Sequence, residues 1–208
     1  MGTQAIDVIY PTRVYEFCAE SRRPIIVQSG GTSSGKTYSV LQYLLTVAAY
    51  VPKQIITVAG QDIPNLRAGA YRDAQNILYG DEFLMSNLAF HNRSNRQFLF
   101  RNGSVMEFNS YSDAQDAKSG KRNYLFVNEA NGVPYEIFEE LQVRTSHKTI
   151  IDFNPTAAFW AHEKLQGRDD VDWLDTTFRD NPFIADSIRA KILSYEPTPE
   201  NIARGTAN

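Results

Sequence analysis

The chain has 208 residues, 42% of them hydrophobic and 22% charged, with a formal net charge of −3. That size suits one α/β domain with a well-buried core, and no run approaches the roughly eighteen apolar residues of a membrane span. The negative balance argues against a domain that coats itself with nucleic acid through overall charge, and a lone cysteine, Cys18, excludes an internal disulfide. Met1 to Ile9 lacks the basic-then-apolar layout of a secretory signal, so a reducing cytosolic setting is expected. His91, His147 and His162 stand far apart without metal-ligand spacing and read as surface or packing residues.

In chain order, Tyr10-Pro11-Thr12 reads as a turn, residues 14–20 as a short helical or irregular piece and 24–28 as a first strand. A Gly-rich loop follows, then a helix carrying Val40, Leu41, Leu44, Leu45, Val47 and Ala48 at helical spacing. Residues 54–59 read as a buried strand, and 66–78 as a helix ending at the Gly80 turn. Asn102-Gly103 between the apolar runs 97–100 and 105–108 predicts a hairpin. Strands over 124–127 and 149–153 flank a helix over 135–143, and a last strand covers 173–178. Asn181-Pro182 reads as the N-cap and first turn of a closing helix reaching Ser194. Residues 196–208 are polar and linker-like. The β-α-β-α order predicts a mainly parallel sheet with helices on its faces.

The loop is Gly30-Gly31-Thr32-Ser33-Ser34-Gly35-Lys36-Thr37, a complete G-x-x-x-x-G-K-[ST] phosphate loop between a strand and a helix. Its glycines let backbone N–H groups face a polyphosphate, and Lys36 can reach the β and γ oxygens. The Thr37 hydroxyl can ligate the Mg²⁺ that travels with a nucleotide. The motif predicts binding of ATP or GTP.

The second half of such a site is an apolar strand ending in acidic groups. Residues 124–127, followed by Asn128-Glu129, are that strand, with Glu129 placed to orient a water for attack on a γ-phosphate. Where a metal-supporting aspartate is usual stands Asn128, which can still accept from a metal-bound water. It removes a charge whose attraction is about 4 kcal/mol per unit pair at ~4 Å and an effective dielectric near 20. Asn128-Glu129 could equally cap the segment that follows. The next strand ends in Asp152-Phe153-Asn154-Pro155, where Asp152 and Asn154 could sense a γ-phosphate beside Glu129, or Asn154-Pro155 could be a plain turn.

The segments SGGTSSGKT, ITVAGQDIPNLRAGAYRDAQNIL, SGKRNYLFVNEAN, IDFNP and TTFRDNPFI, in that order, resemble the large subunit of a tailed-phage terminase. The resemblance implies a RecA-like P-loop ATPase domain with an additional strand and a catalytic glutamate, spanning residues 1–208 and stopping before a nuclease domain. Glu129 matches the glutamate and the Asn154 segment the coupling motif. Thr32 stands where many members carry arginine, leaving Lys118, Lys121 and Arg122 as candidates for a stimulating group, Arg122 acting in trans being the provisional choice. The implied cofactors are ATP and Mg²⁺, held by Thr37, Asn128 through water, and Glu129. The implied partners are double-stranded DNA, further copies in a ring, the portal protein and the small terminase subunit, in the host cytoplasm and with no membrane. Arg93, Arg96 and Arg101 could form a DNA patch or a solvated face. A P-loop kinase, a helicase-like translocase and a binding-only assembly module are the alternatives.

Overall fold

The computed structural model describes residues 12–199, so Tyr10, Pro11 and most of the polar tail lie outside the described residues. Helix α1 (Arg13–Glu20) is capped by the Thr12 hydroxyl, which accepts from the Tyr15 N–H, and leads into β1 (Ile25–Gly30). The phosphate loop then opens α2 (Lys36–Tyr50), followed by β2 (Ile55–Gly60). Ten of the fifteen residues of α2 are buried, so it is a core helix rather than a surface one.

The single helix expected over 66–78 is two: α3 (Ile63–Ala68) and α4 (Ala70–Gly80). Asp62 caps the earlier start by accepting from the Asn65 N–H, Pro64 sits in its first turn, and Gly69 breaks the pair at φ −110 and ψ −106. Then come α5 (Glu82–Asn87) and β3 (Leu88–Asn92), neither predicted, before the expected hairpin of β4 (Gln97–Phe100) and β5 (Val105–Ser110). Asn102 does more than turn the hairpin: its amide donates to the carbonyls of Ala48 at 2.9 Å and Ala49 at 3.0 Å, satisfying the end of α2.

Helix α6 (Ala114–Ala117) precedes β6 (Arg122–Val127); α7 (Tyr135–Val143), β7 (Thr145–Phe153), α8 (Trp160–Lys164) and β8 (Val171–Thr176) follow. Helix α9 (Asp186–Leu193) starts later than expected, with Ala185 rather than Asn181 at its N-cap.

The eight strands form one sheet in the order β3-β4-β5-β2-β6-β7-β1-β8. From β5 to β8 all pairings are parallel, while β3 and β4 are antiparallel additions. Strand alternation gives the sheet two apolar faces. Ile26, Ile56, Val58, Phe126 and Ile150 pack with α1, α2 and α4, whereas Val27, Leu125, Val127, Ile151 and Phe153 pack with residues of α7 and α8. Each such fully buried side chain contributes about 1.5–3 kcal/mol. The order puts β7 between the loop strand β1 and the acidic strand β6, so three strand ends meet at the carboxyl edge.

Candidate functional site

The loop is built by close backbone approach. A Cβ on Gly30 would lie 2.3 Å from the Thr176 hydroxyl oxygen, and Gly35 holds φ +79 with the Asn181 side chain 3.2 Å from where a Cβ would be. Both positions therefore require glycine. The Ser34 hydroxyl is buried with no hydrogen-bond partner among the described residues. Helix α2 begins at Gly35 with no capping side chain, whereas Thr12, Asp62, Asp81 and Asp113 cap four other helices. Its first N–H groups thus face the loop without a side-chain acceptor, the arrangement that suits an anion.

Six of the singled-out side chains converge at the ends of α2, β6 and β7. Lys36 is 7% exposed and its Nζ donates to Asn154 Oδ1 at 2.6 Å. The Thr37 hydroxyl donates to Asp152 Oδ2. Asp152, wholly buried, accepts at Oδ1 from the Asn128 amide at 3.0 Å and from the Glu129 N–H at 2.8 Å. Burial pushes the Lys36 ammonium down, with Asp152 and then Glu129 opposing, and pushes the Asp152 carboxyl up, with Lys36 and its three donors opposing. Asn154-Pro155 is therefore more than a turn, because its amide oxygen holds the loop lysine.

Glu129 is exposed at the edge and takes a left-handed backbone, φ 52 and ψ 55. Of the four non-glycine residues with positive φ among those described, two, Ser33 and Glu129, lie in this site. Such conformations cost about 1–3 kcal/mol and concentrate where function holds them.

Hard oxygen donors from Thr37 and the nearby carboxylate suit Mg²⁺. Among the described residues no group of three or more His, Cys, Asp or Glu side chains is placed to hold a metal. Phosphate oxygens and water would have to supply the other ligands.

Arg122, the provisional trans-acting group, is enclosed within its own chain. It is 4% exposed, and its guanidinium donates to the carbonyls of Leu141 at 3.1 Å, Ser119 at 3.2 Å and Gly120 at 3.4 Å. A side chain so enclosed cannot extend into a neighbour's site without dismantling its own surroundings. Lys118 and Lys121 are exposed. They precede the start of β6, at the opposite end from Glu129, so none of the three lies beside Glu129 of its own chain.

Asn181 is not the helix cap that its Asn-Pro context predicts. Its amide donates to the Ser33 carbonyl at 2.9 Å and its Oδ1 accepts from the Phe183 N–H at 3.0 Å, so it clamps the phosphate loop. The sequence signal is the RDNP quartet, which repeats the Asn-Pro of the DFNP segment. Beside the loop, Gly31, Thr32, Ser33, Phe178, Ile188 and Tyr195 help to line an open cleft of ≈ 790 Å³.

A phosphate-loop motif at the carboxyl edge of a largely parallel sheet, backed by polar ends of two neighbouring strands, defines the class of domain. The chain belongs to the phage terminase large subunit family, whose model matches residues 22–206. No curated protein matches the sequence. Among solved structures, the large terminase of a thermophilic bacteriophage is similar at TM-score 0.73 and 16% identity, over 90% of this chain and 50% of that one. The chain thus spans about half the length of that terminase, which has also been solved with ADP and with ATP-gamma-S. The large terminase ATPase domain of Thermus phage P74-26 aligns at TM-score 0.65 and 12% identity, over 95% of this chain and 92% of that one. The HK97 bacteriophage large terminase aligns at TM-score 0.60 and 12% identity, over 93% and 44%.

Proposed function

We propose that this chain is the ATPase motor domain of a terminase large subunit, hydrolysing ATP to drive double-stranded DNA into a procapsid. The observation that carries the reading is the convergence of Lys36, Thr37, Asp152, Asn154 and the left-handed Glu129 at one sheet edge. The complexes of the thermophilic-bacteriophage terminase with ADP and ATP-gamma-S support ATP as the nucleotide of that protein, and by family of this one.

The loop N–H groups bind the phosphates, and the buried Lys36 stabilises charge that develops on the transferred γ-phosphoryl group. Thr37 would hold a Mg²⁺, with Asn128 acting through water and Glu129 beside it, and the ion would supply neutralisation of phosphate charge. Glu129 orients and deprotonates the attacking water. Lys36 must leave or share Asn154 to reach a γ-phosphate, so Asn154 couples the state of the nucleotide to β7. The cleft beside Phe178, Ile188 and Tyr195 suits the nucleoside, as it adjoins the loop and is partly apolar.

The motor acts as a ring of copies on the portal, with the small subunit, in the host cytoplasm. A cation from a neighbouring copy completes the site; Lys118 and Lys121 are free to do this where Arg122 is not. No helix among the described residues is long and apolar enough to cross a membrane. Cutting DNA is not part of the proposed activity. Phosphate release with and without double-stranded DNA is the test. DNA-stimulated turnover that vanishes in Lys36→Ala supports the motor, and nucleotide binding without turnover under either condition leaves a binding-only module.

A further inference from the structure

An acidic strand that supports a metal beside a phosphate loop ends in an aspartate, and here that position is Asn128. The missing carboxylate has a replacement one strand over. Val127 of β6 pairs with Ile151 of β7, so Asn128 lies level with Asp152, which on its other side pairs with Gln28 of the loop strand.

Asp152 is 0% exposed, and its three donors, the Asn128 amide, the Glu129 N–H and the Thr37 hydroxyl, are all neutral. It forms no salt bridge among the described residues, because Lys36 Nζ bonds Asn154 instead. A buried carboxylate whose hydrogen bonds all come from neutral donors, with the nearby Lys36 bonded elsewhere, is costly to keep for architecture alone. Its Oδ2 accepts the hydrogen bond of Thr37, the hydroxyl whose lone pairs face the metal in a phosphate loop. An acceptor on the hydroxyl proton turns the lone pairs outward and makes the oxygen a stronger ligand.

We propose that Asp152 carries the negative charge of the Mg²⁺ site, orienting and polarising Thr37, while Asn128 serves as the donor that holds Asp152 in place. Carboxylate and amide have exchanged strands relative to the usual arrangement. Asp152 is then a positioning residue. The inference rests on residues 30–37 forming the nucleotide loop.

The exchange also sets the outcome of Asn128→Asp. Restoring the usual aspartate would set a second carboxylate about where the amide donates at 3.0 Å, beside Asp152. Like charges at that range cannot both ionise freely, so the added acid does not improve the metal site.

The test is binding of fluorescent N-methylanthraniloyl-ADP, first in EDTA and then across a MgCl₂ titration. The proteins are wild type, Asp152→Asn, Asn128→Asp and the swap Asn128→Asp/Asp152→Asn. Asp152→Asn is expected to leave binding in EDTA unchanged and to raise the Mg²⁺ midpoint roughly 10–100-fold, the usual cost of losing a ligand's outer partner. Asn128→Asp alone gains nothing, and the swap recovers most of the loss. An unchanged midpoint in Asp152→Asn overturns the proposal. So does tighter Mg²⁺ binding in Asn128→Asp, an outcome that decides the matter even if Asp152→Asn does not fold. Wild type that binds no ADP in either condition instead rejects the loop assignment itself.

Discussion

The two ends of β6 bury opposite charges by different means. At its start the guanidinium of Arg122 is enclosed by the backbone carbonyls of Leu141, Ser119 and Gly120. Just past its end, Asp152 is enclosed by one backbone N–H and by the side chains of Asn128 and Thr37. Backbone acceptors are fixed by the fold and have no other use. A threonine hydroxyl at the head of a phosphate loop has a second use, and a lysine held by an amide oxygen can exchange it for a phosphate. On the proposed function, buried polarity at the start of the strand is architecture, and at its end it is a set of contacts that a nucleotide would exchange.

That contrast breaks most visibly at Glu129. Glu129→Gln should lower phosphate release by about 10²–10⁴, the scale of a positioned general base, while MgATP still binds. The same variant should melt close to wild type, since the residue is exposed; a large loss of stability with turnover retained would make Glu129 architectural too. Lys36→Ala should cost roughly 10²–10³ in turnover and weaken nucleotide binding, because it removes the loop's only cation. Turnover near wild type would remove Lys36 from the chemistry.

Arg122→Ala should behave in the opposite sense. It strands carbonyls that now accept from a cation and leaves a hole, which should cost about 2–4 kcal/mol, read as a lower urea midpoint at constant slope. Turnover per folded molecule should hold within about twofold, as expected of a change remote from the site. Turnover lost with the urea midpoint intact would return Arg122 to the role of a group acting on a neighbour's nucleotide.

The same contrast shows what was legible in the sequence. The loop, the strand before Asn128-Glu129, the 102–103 hairpin turn and α7 were readable because each depends on local spacing. Asp152 was readable as a strand end but not as a partner of Thr37, since the two lie 115 residues apart and meet only because β7 inserts between β1 and β6. Strand β3 escaped because it is an edge strand with no buried residue, so it shows no alternation to read. Arg122 looked available because a basic residue before a strand gives no sign that the carbonyls of Ser119, Gly120 and Leu141 will fold around it. Asn181 misled because Asn-Pro is the sequence of both a helix start and a loop clamp.

The smallest expected effect gives the contrast its internal gauge. Cys18, the chain's one cysteine, is fully buried on α1, and burial pushes its thiol up to about 12. A thiol reagent therefore meets neither access nor thiolate until the domain opens. Lys148 anchors the segment, its Nζ donating to the carbonyls of Cys18 and Ser21, both at 2.9 Å. With excess reagent at neutral pH, labelling of wild type should be slow, and Glu129→Gln should leave the rate within about twofold, since exposed substitutions rarely shift stability by more than ~0.5 kcal/mol. Arg122→Ala should speed it, because α1 packs on the core that β6 helps to form. Equal acceleration in both variants would mean that the two ends of β6 are one cooperative polar framework, and the division between fixed and exchangeable contacts would fall.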